Sequence, residues 1–215
     1  MCGVIGCFPT KRIMTDWHIE KFCELLTQSR IRGMHAYGIA AQFPSGRWSF
    51  LKSLEIAEVI SWAFEISKTA TAMIGHTRYD TSGNWRVAAN NQPITIGQDF
   101  LVFNGVIRMS TKAEYEEEFG TRFTTENDGE ILLWLLGKSE KGKAKKLLDD
   151  EQVSYAGIQV VNGDVSIYRN ERRPLTLLRK RGLWVASTID ILARTFGAEL
   201  NPQSIEPGIF HHVKT

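Results

Sequence analysis

Met1-Cys2-Gly3-Val4-Ile5-Gly6-Cys7-Phe8 opens the chain and Pro9-Thr10-Lys11-Arg12 closes the run. The stretch is apolar and uncharged, the composition of a strand buried on both faces, and a strand is expected over residues 2–8. It has neither the basic lead nor the small-residue cleavage site of a secretory signal. What makes the run decisive is its second residue. Met1 precedes a small side chain, the setting in which an initiator methionine is removed, and removal leaves Cys2 with both a thiol and a free α-amine. Such an amine titrates at roughly 7.7–8.0 and a free thiol near roughly 8.5. A base tied covalently to its nucleophile needs no catalytic histidine. The plain alternative is a cysteine buried as a small hydrophobe.

Outward from this strand, periodicity predicts a helix over residues 16–30, with Asp16 as N-cap and Trp17, Phe22, Leu25 and Leu26 on its apolar stripe. Strands over 37–43 and 47–51 form a hairpin at Pro44-Ser45-Gly46. A helix over 55–67, a buried strand over 71–77, a loop over 80–91 and strands over 94–96 and 100–103 follow. A helix is expected over 128–136. The charge-rich run 138–146 reads either as a solvated loop entering a short helix that ends near Asp149-Asp150 or as a phosphate-binding patch. Asn162-Gly163-Asp164 turns a hairpin between 154–161 and 165–169, and Lys180-Arg181-Gly182 turns another between 175–179 and 183–187. A helix over 189–196 and a strand over 208–213 complete the chain. Strands come in runs and helices in separate runs, which predicts an α+β fold of antiparallel sheets covered by helices.

Four further segments bear chemistry: Gly75-His76-Thr77-Arg78-Tyr79-Asp80-Thr81-Ser82-Gly83, Asn90-Asn91-Gln92-Pro93, Phe103-Asn104-Gly105, and Thr125-Glu126-Asn127-Asp128-Gly129-Glu130. With Met1-Cys2-Gly3, and in this order and spacing, they resemble the glutaminase domain of the class II glutamine amidotransferases, which are N-terminal-nucleophile hydrolases. Arg172-Arg173-Pro174-Leu175 and Ala186-Ser187 are similar to further landmarks of that family. The resemblance spans residues 1–215 as one domain and implies a four-layer αββα sandwich. It also implies hydrolysis of L-glutamine to glutamate and ammonia through a γ-glutamyl thioester on Cys2, without a cofactor. By the same resemblance, the Asn104 side-chain amide and the Gly105 N–H form the oxyanion hole. Arg78 grips the substrate α-carboxylate, Asp128 holds its α-ammonium, and Thr81 lines the same pocket. Arg32, followed by Gly33, orders the nucleophile end. The loop over 80–91, beside Arg78, is expected to act as a lid.

The chain departs from the family at two places. Met34-His35-Ala36-Tyr37 follows Arg32-Gly33 where the family has an acidic residue and then a small hydroxyl, and His35 reads either as its stand-in or as an ordinary loop histidine. Gly129 occupies a position that is usually Ser or Thr.

Composition narrows the remaining possibilities. The 215 residues are 43% hydrophobic and 23% charged, an ordinary globular mix. Lys+Arg number 26 against Asp+Glu 24, a net charge of +2, so charge gives no argument for nucleic acid or an anionic membrane. No apolar run reaches the roughly 18 residues of a membrane-spanning helix. Three cysteines, Cys2, Cys7 and Cys23, suit a reducing, cytoplasmic setting better than a disulfide framework. His76, His211 and His212 show no zinc spacing, and no metal is expected. Nucleotide-binding glycine loops are absent. Free ammonia protonates in water, so an ammonia-accepting synthetase or transferase is the expected partner. A γ-glutamyl amide hydrolase acting on a conjugate, and a non-catalytic regulatory domain, are the alternatives.

Overall fold

A computed structural model describes residues 1–11, 13–66, 69–80, 83–107 and 110–213. Two antiparallel sheets are stacked between helices. The first has seven strands in the order β11-β9-β10-β1-β4-β2-β3. They are β1 (Gly3–Pro9), β2 (Ala36–Gln42), β3 (Trp48–Ser53), β4 (Ala72–Arg78), β9 (Thr176–Arg179), β10 (Gly182–Ala186) and β11 (Gln203–Ser204). The second has five, β12-β8-β7-β6-β5. These are β5 (Ile94–Ile96), β6 (Asp99–Val106), β7 (Ser154–Val161), β8 (Asp164–Arg169) and β12 (His211–Val213).

β1 lies between β10 and β4, with Gly3 opposite Thr77 and Ile5 opposite both Gly75 and Ala186. Its side chains alternate between layers, as strand geometry requires. Val4 and Phe8 enter the core between the sheets with Ile74, Val102, Ile158 and Val185. Ile5 and Cys7 face the opposite way, into a core with Phe22, Leu25 and Leu26 of α1 (Asp16–Gln28), Val59 and Ala63 of α2 (Ile56–Ile66), and Ile191 and Leu192 of α6 (Ile189–Phe196). Leu132 and Leu135 of α4 (Gly129–Gly137) and Leu148 of α5 (Lys141–Asp149) cover the second sheet. The order is helices, sheet, sheet, helices, the expected αββα arrangement.

Trp184 is fully buried under the first sheet. Phe196 packs against it at 4.8 Å and Trp17 at 5.8 Å, both T-shaped, and its indole N–H donates to the Lys180 carbonyl at 2.9 Å. Trp184→Ala would leave a large cavity and is expected to cost about 3–5 kcal/mol. A urea melt checks this, and a shift under about 1 kcal/mol would mean that the layer repacks freely.

Three local expectations change. Thr15, not Asp16, caps α1: its N–H donates to His18 Nδ1 at 3.2 Å, and its hydroxyl lies 2.7 Å from the same nitrogen. A helix, α3 (Ser110–Phe119), forms where no element was expected. The last strand is shortened to His211–Val213, and the short β11 is added. No helix among the described residues is long and apolar enough to cross a membrane.

Candidate active site

The ends of β1, β4 and β6 converge. Cys2 leads into β1, and its backbone N–H donates across the gap between the sheets to Asn104 Oδ1 at 3.0 Å. Because that oxygen faces the donor, the amide NH2 of Asn104 is left over. Asn104 Nδ2 is buried and has no hydrogen-bond partner among the described residues. A buried, unsatisfied donor costs free energy, so its presence calls for a reason. Gly105 follows, and a Cβ there would collide with the Ser154 carbonyl. Only glycine lets β6 approach β7 this closely.

The thiol of Cys2 rests against the two peptide units that flank Tyr79 at the β4 exit. Tyr79 N–H donates to Sγ at 3.5 Å, and the thiol donates to the Tyr79 carbonyl at 3.4 Å. Burial pushes the Cys2 thiol up from its ordinary range. The Tyr79 N–H, the N-terminal charge and Arg78 oppose that, while Asp128 adds to it. Arg32 Nε donates to the Cys2 carbonyl at 2.8 Å. The amine of Met1 is held below its ordinary value by burial first, then by Arg32 and Arg173, with Cys2 opposing.

Arg78 is buried at the end of β4, at 3% exposure. One terminal nitrogen donates to the Asn90 carbonyl at 2.5 Å and to Asn91 Oδ1 at 2.6 Å. The other donates to Asp80 Oδ1 at 3.1 Å and the Gly83 carbonyl at 2.9 Å. Its guanidinium is therefore engaged by the loop that follows, rather than open to a ligand. That loop is stitched down: Asn90 Nδ2 donates to Glu126 Oε2, Glu126 N–H to Asn90 Oδ1, and Asn127 Nδ2 to the Asn90 carbonyl. Thr81 lies outside the described residues.

Asp128 precedes α4 and is 3% exposed. Its Oδ2 accepts the Ile107 N–H at 2.6 Å, which ties it to the chain two residues beyond Gly105. Burial pushes its carboxyl up to about 6 despite the backbone N–H groups of Ile107, Asp128 and Gly129. Beside it, burial raises Glu130, but the N–H and hydroxyl groups of Thr124 and Thr125 outweigh it and hold this carboxyl below its ordinary range. Lys112 of α3 completes that cluster at 3.1 Å from Glu130.

The motif reading left two contributors without a role. Tyr79 acts through its main chain, which no side-chain pattern reports. Lys112 sits in a Glu-rich helix that shows no periodic stripe. A cleft of about 1050 Å³ opens at the far end of β1, lined by Phe8, Pro9, Gln42, Arg179 and His212 among others, and touches none of these residues.

No protein-family model matches the chain. Over 154 residues, 65% of this chain and 32% of the relative, it is 28% identical to an amidophosphoribosyltransferase of Methanothermobacter thermautotrophicus. Over 140 residues, 63% of this chain and 22% of the relative, it is 33% identical to an isomerizing glutamine–fructose-6-phosphate aminotransferase of Staphylococcus epidermidis. The chain is homologous to the class II glutamine amidotransferase domains. The glutamine phosphoribosylpyrophosphate amidotransferase of B. subtilis shares the fold of this chain, with a TM-score of 0.75 at 22% identity over 96% of this chain and 46% of that one. The chain spans about a third or less of the length of the curated relatives it matches.

Asp128 gives this domain a testable pH signature. Folding raises its carboxyl from an ordinary 3.8 to about 6, so the folded state favours the protonated form. The stability it contributes is complete below pH 3.8 and is lost as pH rises through 6. Asp128→Asn, neutral throughout, is expected to stabilise the domain by about 1–2 kcal/mol at pH 8 relative to its effect at pH 4. Urea melts at the two pH values check this; a variant with the same relative stability at both would show that the carboxyl is not strained.

Proposed function

We propose that this domain hydrolyses L-glutamine to glutamate and ammonia, with Cys2 as nucleophile after removal of Met1. The freed α-amine of Cys2 takes the thiol proton as sulfur bonds to the side-chain amide carbon. The carbonyl oxygen becomes an oxyanion that accepts hydrogen bonds from Asn104 Nδ2 and the Gly105 N–H. Collapse breaks the carbon–nitrogen bond, and the α-ammonium returns its proton to the departing ammonia. The γ-glutamyl thioester that remains is hydrolysed by water, with the same amine as base. Arg78 receives the substrate α-carboxylate when it displaces Asp80 and the Gly83 carbonyl, while Asn90 and Asn91 keep the guanidinium aimed. Asp128 holds the α-ammonium, with Thr81 beside it. Arg32 fixes the Cys2 carbonyl. None of these steps calls on a cofactor.

The observation that most supports this reading is the partnerless Asn104 Nδ2, buried on the residue whose Oδ1 already binds Cys2. It is a donor in place before any oxyanion exists, which is what electrostatic catalysis requires. The relatives' names describe amido and amino transfer. We therefore extend the proposal to delivery of the ammonia to an acceptor site on a synthetase or transferase in the cytoplasm.

A diazoketone analogue of glutamine should add one equivalent to the mature chain, at Cys2, and block glutamate release. Labelling elsewhere, or turnover that survives labelling, would overturn the assignment.

A further inference from the structure

His35 lies at a point where the chain departs from the family pattern, and its neighbours give it work. Its backbone N–H donates to the Arg78 carbonyl at 2.9 Å. Its ring Nδ1 accepts the Asp80 N–H at 2.9 Å, which makes it the Nε2–H tautomer. One residue thus grips the chain on both sides of Tyr79. The same ring is stacked between Tyr79, at 5.2 Å and 27° between planes, and Trp85, at 5.5 Å and 23°. The Arg86 guanidinium lies over the Trp85 ring, 4.4 Å from its centroid. Gly33, two residues earlier, abuts the Arg78 carbonyl and the Tyr79 nitrogen so closely that a side chain there would collide. Segments 33–35 and 78–80 are in consequence packed as one unit.

We propose that His35 is a positioning residue for the nucleophile, acting through Tyr79. The two peptide units it clamps, those before and after Tyr79, are the ones that bracket the Cys2 sulfur, the first with its N–H at 3.5 Å and the second with its carbonyl at 3.4 Å. An acidic side chain could not do this. A carboxylate accepts an N–H but offers no ring to stack between Tyr79 and Trp85, whereas imidazole does both. The clamp also sets Asp80, whose carboxylate pairs with Arg78. His35 thus holds the sulfur's neighbour and the carboxylate-binding arginine in one frame. Released, the Tyr79 N–H would no longer stabilise a thiolate.

The test separates the two contacts. His35→Asn keeps an acceptor without a stacking ring, His35→Phe keeps the ring without an acceptor, and His35→Ala has neither. The readout is the rate of Cys2 alkylation by iodoacetamide against pH, followed by intact mass. The other thiols, Cys7 and Cys23, are buried and pushed up by burial, Cys23 to about 12, so the label reports Cys2.

In the alanine variant the alkylation midpoint is expected to rise by about half a pH unit or more. The asparagine variant should recover most of this and the phenylalanine variant less. In the mature enzyme, kcat for glutamine should fall about tenfold in His35→Ala, more than KM rises. The turnover arm rests on the glutaminase reading; the alkylation arm does not. Wild-type protein that fails to hydrolyse glutamine therefore sinks the reading and leaves the clamp testable. Midpoints equal to wild type in a folded alanine variant, or in both other variants should alanine not fold, would overturn the clamp.

Discussion

Cys2→Ala is expected to lower glutamine hydrolysis by about five orders of magnitude, with the fold intact. Removing the nucleophile of a catalytic unit typically costs about that much, because the rest of the site retains only binding and oxyanion stabilisation. The side chain is small, and its backbone N–H to Asn104 Oδ1 does not depend on sulfur. Cys2→Ser is expected to fall nearly as far, since a hydroxyl is a far weaker nucleophile with the same base. The sharper comparison leaves the sulfur in place. A chain that retains Met1 carries Cys2 nitrogen as an amide, which donates to Asn104 and cannot accept a proton. Mature and Met1-retaining protein, compared by intact mass and glutamate release, should differ by at least about a hundredfold. Equal rates would show that the proton goes elsewhere and that the amine has no part in the reaction.

Asn104→Ala is expected to lower kcat by about 10²–10³-fold, the cost of one oxyanion donor, while KM for glutamine stays within about threefold. The split matters, because the donor is needed when charge develops on oxygen, not when the ground-state amide binds. Asn104→Asp is the harsher control. It keeps the acceptor for Cys2 nitrogen but places a negative charge where an oxyanion must form, so it should be at least as inactive as alanine. Steady-state kinetics on both variants, with circular dichroism to confirm folding, decide the matter. An aspartate variant that retains wild-type kcat would remove Asn104 from the chemistry.

Much of the architecture was readable from alternation and turn chemistry. The 2–8 run became β1, the Asn162-Gly163 turn joined β7 to β8, and the helix expected at 189–196 formed over those same residues. α3 was not readable. Lys112 points inward to Glu130, and the apolar Tyr115 and Phe119 are only partly covered, so no stripe marks a buried face. The N-cap shifted to Thr15 because His18 supplies a reciprocal partner three residues on. At the site, the structure brings Asn104 and Arg32, both singled out by the motifs, within hydrogen-bond reach of Cys2. They could not show that Asp80 and Gly83 occupy Arg78, or that Tyr79 cradles the sulfur, because both depend on main-chain paths that residue identity leaves open. The double role of His35 is likewise a tertiary fact, invisible until two loops meet.

Cys2, the proposed nucleophile, leads into one sheet, Asn104, the proposed oxyanion donor, lies in the other, and a 3.0 Å bond joins them. The reactive geometry is therefore a vernier on the spacing of the two layers. The interlocked Val4, Ile74, Val102 and Ile158 set that spacing, so a sub-ångström slip there would mistune the reaction long before the protein melted. Loss of activity without loss of structure is the signature to look for when that interlayer is repacked.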